Sequence, residues 1–133
     1  MSILLREALL AIDWNSNRDV FLGSEQSINR LHLGSLRVAR WAIELEQIDK
    51  GNPALPFVRE MQHGGHNVAK CVALGLYKPA ASAMRSMLEC ALYYTYFRSH
   101  PAELRTLIRD EKYYISKKDV LAFYQRHVKD YTD

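Results

Sequence analysis

The run from Pro56 to Arg98 constrains this chain most. It reads as two helices separated by little more than Tyr77 and Lys78. In the first helix, Val58, Met61, Gly65, Val68 and Val72 follow i, i+3, i+7 spacing, which gathers them on one core-facing stripe. The second starts at Pro79, a residue that suits a first helical position because its missing N–H has no helical partner to lose. Ala80, Met84, Met87, Ala91 and Tyr94 form its stripe. A connection that short forces antiparallel neighbours. Small residues near the turn (Ala69, Ala73, Ala80, Ala81, Ser82 and Ala83) let two backbones approach closely.

Four further segments read as helical. Ser2 to about Trp14 has Ile3, Leu4, Leu9, Leu10 and Ile12 on its apolar side and breaks at Asn15-Ser16-Asn17. Ser24 to about Lys50 is the longest, with Ser24 at the N-cap and a stop at Gly51-Asn52-Pro53. Pro101 to about Asp110 follows the hairpin, and Ser116 to about Lys129 starts on a Ser116/Asp119 pair resembling a capping box. Only Lys112 to Ile115 looks strand-like, and it is too short to found a sheet. The expected fold is all-α, a compact bundle of five to six helices around a central antiparallel hairpin at about 56–98. A single helical domain over residues 1–133 is expected, which suits one domain of a larger parent protein.

Composition narrows the function classes. The chain has 133 residues, 48% of them hydrophobic, and two cysteines, so a disulfide scaffold is excluded. The net charge of +3 is well short of a dedicated nucleic-acid charge load. The basic residues nevertheless concentrate after residue 60, and all eight tyrosines lie between Tyr77 and Tyr131. That half suits RNA or a nucleotide, although a solvated face over an aromatic core is the plainer reading. The early apolar run holds Arg6 and Glu7, which fits neither a signal peptide nor a membrane span. A cytoplasmic, membrane-free protein without cofactor or bound metal is expected.

The candidate chemistry lies on the hairpin. Measured from the expected turn, His66 stands level with Glu89, Lys70 with Arg85, and Arg59 with Tyr96, while His63 approaches Leu92 and Tyr93. One groove would then hold two His, one Glu, two Arg and two Tyr. Arg59 and His66 are two helical turns apart on one side. An Arg that holds a phosphate beside a His that moves a proton is the apparatus for RNA cleavage by 2′-hydroxyl attack. His63, Lys70, Arg85, Glu89, Tyr93 and Tyr96 are the candidate ligand-binding residues. Glu60-x-x-His63-x-x-His66 has metal-like spacing, but the second copy that a di-iron bundle needs is missing. Cys71 and Cys90 read as small apolar residues rather than a redox pair.

The stretch from His66 through Leu104, with Arg-Ser-x-x-Glu at Arg85–Glu89 and the run Tyr-Tyr-Thr-Tyr-Phe after it, resembles the helical-hairpin core of HEPN-like domains. Similar proteins occur in bacterial abortive-infection and mobile defence loci. The resemblance implies an all-α bundle that commonly dimerises. Active members are metal-independent RNases with an Arg-x4–6-His motif near a helix start, and many others have lost catalysis and serve as binding parts. Arg59 and His66 fit the outer limit of that spacing but lie ahead of the familiar hairpin. Arg105, Arg109 and Arg126 have no His at the right distance. The expected function is therefore a HEPN-like interaction or oligomerisation module in an anti-phage or toxin-antitoxin system, with a second copy or another protein as partner. The alternatives are a metal-independent RNase using Arg59 and His66, and a nucleotide- or anion-sensing domain that binds through Arg85 and Lys70.

Overall fold

The computed structural model describes residues 3–128. Seven helices run in the order α1 (Ile3–Leu10), α2 (Trp14–Leu22), α3 (Glu25–Ile48), α4 (Leu55–Ala73), α5 (Tyr77–Phe97), α6 (Pro101–Arg109) and α7 (Lys117–His127). No strand occurs among the described residues, and the 112–115 segment is irregular. The all-α bundle stands as expected, with α4 and α5 its most extensively packed pair.

The hairpin turns earlier than Pro79 suggests. Gly75 has φ +74°, a conformation that costs glycine little and other residues more. Its N–H donates to the Val72 carbonyl, and the Leu76 N–H donates to Cys71 at 2.7 Å. This crossed pair of bonds is a Schellman motif, which satisfies the last carbonyls of α4. The connection is therefore Leu74–Leu76, and Tyr77 and Lys78 belong to α5. Pro79 sits in the third helical position, still within the turn whose N–H groups need no helical acceptor. Moving the turn shifts the register by about one helical turn. Gly64 now faces Met87, and Phe57 packs against Tyr93 with ring centroids 5.8 Å apart.

The N-terminal region also differs from expectation. Asn15, Ser16 and Asn17 do not break a helix; they open α2. Asp13 caps it, its carboxylate accepting from the Ser16 N–H at 2.9 Å. Ser24 does precede α3, but its hydroxyl bonds to Ser27 Oγ and not to a backbone N–H. At α7 the expected cap is made, with the Asp119 N–H donating to Ser116 Oγ at 3.1 Å. The end expected at about Lys129 lies outside the described residues.

The core occupies the end of the hairpin away from its turn. Phe97, Val58 and Val120 are fully buried there, joined by Leu55, Tyr94 and Leu104. α6 and α7 pack on α5, and α3 packs on α4. α3 and α5 flank α4 without packing on each other, and α1 packs on no other helix. Its expected apolar side is open to solvent, with Ile3 75% and Leu4 76% exposed.

Candidate functional site

The polar strips of the hairpin do not meet in one groove. They fall into three places, and the earlier turn is the reason. One helical turn of register moves Glu89 away from the level of His66. Side-chain directions then separate the remaining residues.

The first place is the α3-facing side of α4. Arg59 Nε donates to Glu46 Oε1 at 2.7 Å, so its guanidinium already holds a carboxylate from α3. His66, seven residues on, shares that side of α4 by helical geometry. His63, His66 and Lys70 are all exposed. None of the three forms a side-chain hydrogen bond or ion pair among the described residues. Arg59 and His66 thus lie on one helix face, but Tyr96, expected beside them, does not.

The second place joins α5 to α7. Glu89 accepts from Arg85 Nε at 3.1 Å, one helical turn away. It also accepts from Lys117 Nζ at the start of α7. Lys117 and then Arg85 hold the Glu89 carboxyl below its usual range. The Arg85–Glu89 pair was legible as an i, i+4 contact. Lys117 was not, since no local pattern links positions 28 residues apart.

The third place is the aromatic core. Tyr93 packs against Phe57 at 5.8 Å and Phe97 at 6.1 Å. Tyr96 is buried at 8% exposure, stacked on His100 with centroids 4.3 Å apart. Its hydroxyl donates to Glu103 Oε2 at 2.7 Å. Burial, then this hydrogen bond, push the Tyr96 phenol up to about 12. Tyr96 is a core residue that holds α6 and α7 in place through Glu103 and Phe123, and the half-buried Tyr93 packs α5 on α4 through Phe57.

One cluster was not foreseen. Asp49, just past the end of α3, accepts from the Tyr94 hydroxyl and from Arg98 Nη2 at 3.0 Å. Arg98 lies over the Tyr94 ring at 5.8 Å. Asn52 Nδ2 donates to the Arg98 carbonyl at 3.1 Å. Burial first, then Asp49, push the Tyr94 phenol up to about 12. These contacts tie the α3–α4 turn to the end of α5. A half-buried carboxylate whose two oxygens each accept from a donor is a structural fastening of this kind. The Asn52-Pro53 stop was legible; its partner across the bundle was not.

Cys90 is buried and Cys71 half-buried, both as free thiols. Burial raises the Cys90 thiol, followed by the nearby Glu60 and Glu89 charges. Among the described residues no three His, Cys, Asp or Glu side chains converge as a metal site would require. No helix there is long and apolar enough to cross a membrane.

No protein-family model matches the chain, and no curated protein or solved structure matches it with significance.

Proposed function

We propose that this protein works by association, as a helical interaction module of the HEPN-like kind. The observation that carries this is α1. It is apolar along most of its length, packs on no other helix, and leaves Ile3, Leu4, Leu5, Leu9 and Leu10 each more than half exposed. Exposed apolar surface also extends over Leu33, Leu36, Trp41, Met84 and Leu88 on α3 and α5. Scattered single apolar residues need no explanation, but a whole unpartnered apolar helix marks an interaction surface. The HEPN-like kinship and a role in bacterial defence rest on the resemblance over residues 66–104.

Association is favoured over RNA cleavage at Arg59 and His66. A phosphate would have to displace Glu46 from Arg59, and the carboxylate repels that phosphate. Anion sensing through Arg85 and Lys70 meets the same obstacle, since Glu89 already occupies Arg85.

Sedimentation velocity combined with a dye that lights up on apolar surface tests the proposal. The purified protein should either self-associate or, as a monomer, bind the dye strongly. A dye-silent monomer overturns it. RNA cleavage that persists in EDTA and disappears in His66→Ala would replace it with the nuclease reading.

A further inference from the structure

Where α3 and α5 part, they leave an open apolar trough with α4 as its floor. Near the hairpin turn it is walled by Leu31 and Val38 of α3 and by Met84 and Met87 of α5, over Val68 and Val72. Its volume there is about 330 Å³. The same trough continues toward the core end between Trp41 and Ala91, over Met61. Three helices in this arrangement are a four-helix bundle that lacks one member.

We propose that a second copy of this chain fills the trough, with α1 of each copy lying in the trough of the other. This rests on the association reading above and names its partner. Three observations carry it.

The first is area. A compact monomer of 15.4 kDa exposes about 7,200 Å², whereas this chain exposes 10250 Å². The excess, about 3,000 Å² per chain or about 6,000 Å² for a pair, is at the upper end of what permanent homodimers bury.

The second is the match between occupant and seat. α1 is the one helix among the described residues with no packing on another, and it is apolar. The trough is apolar, and α2 is fastened at its turn end, with Asn17 bonded to the Leu74 carbonyl. Reciprocal exchange is an isologous contact, so the pair closes on itself and does not grow into a fibre.

The third is Gly34, in mid-α3 on the trough wall. A Cβ there would meet nothing within 4 Å. Glycine inside a helix is unfavourable, and nothing in its own chain uses the space it leaves. A neighbouring helix seated in the trough would.

Gly34→Arg tests this without endangering the fold. The new side chain enters open space, and the helix gains a better former. The full chain is followed by sedimentation across the micromolar range, with its thermal midpoint measured alongside. The wild type should be a dimer. Gly34→Arg should raise the dimer Kd by about tenfold or more while helicity is kept. The double substitution Leu4→Glu, Leu9→Glu in α1 should do the same. A wild-type dimer indifferent to both overturns the exchange while the association reading stands. Loss through Gly34→Arg alone overturns α1 as the occupant. A wild-type monomer overturns the second copy. If that monomer binds apolar dye, association with a different partner survives. If it is dye-silent with α1 amides protected from exchange, α1 lies on its own chain and both readings fall.

Discussion

The two ends of the hairpin use the same helical grammar and reach opposite outcomes. At the far end, Phe97 and Val58 are shut away by α3, α6 and α7, and the buried hydroxyls of Tyr94, Tyr96 and Tyr124 find acceptors. At the turn end, Met84 and Leu88 continue α5 with nothing over them. The sequence stripes are similar in both halves. What differs is the supply of covering elements. The C-terminal segments fold back over the aromatic end, while α2 packs on α3 and α4 but not on α5, and α1 packs on no helix. Amphipathicity specifies that a face wants a partner, not that the same chain provides one.

The largest expected contrast comes from truncating one residue at each end. Phe97→Ala removes a fully buried ring that stacks on Phe57 and should cost about 3–5 kcal/mol in urea unfolding. Leu9→Ala in α1 should change monomer stability by no more than about 0.5 kcal/mol. Equal costs at low protein concentration would erase the distinction between the ends.

The aromatic end should also be the alkali-sensitive one. Tyr94 and Tyr96 have phenols raised to about 12, against about 10 in an unfolded chain. The fold thus favours their neutral forms. That contribution is complete below about pH 10 and disappears as pH rises toward 12. Thermal midpoints should fall through this window, and less steeply in Tyr96→Phe. An unchanged slope in that variant would show that Tyr96 is not a source of the sensitivity.

A smaller effect separates two adjacent glycines. A Cβ on Gly64 would meet Met87 Cγ at 2.6 Å, which forces the α4–α5 contact to shift. On Gly65 it would meet only the end of Met87, at 3.5 Å. Gly64→Ala should destabilise by about 1–2 kcal/mol, and Gly65→Ala should stabilise by about 0.5–1 kcal/mol. Chemical denaturation of both variants at one protein concentration checks the sign of each.

Much of the architecture was legible in the sequence, and the exceptions have local causes. The hairpin, the Gly51-Asn52-Pro53 stop and the Ser116 cap rest on short-range signals. Pro79 drew the expected turn toward itself, although Leu74-Gly75-Leu76 was the true helix end. Asn15-Ser16-Asn17 looked like a breaker because Asp13 was not recognised as a cap. The candidate groove failed for a related reason. A helix turns about 100° per residue, so a register error of one turn across a hairpin re-pairs every level. Glu46 with Arg59, Asp49 with Tyr94 and Lys117 with Glu89 all join distant segments. No single-sequence pattern specifies such partners.

The unpartnered state of α1 has a consequence in time. Translation runs from the N-terminus, so α1 emerges about 77 residues before Met87 completes its proposed seat. At ordinary elongation rates that interval is roughly 4 to 15 s. For that time an apolar helix has no surface of its own kind to lie against. Nascent chains on one message, each with its own α1 exposed, would then be close neighbours before any of them is finished.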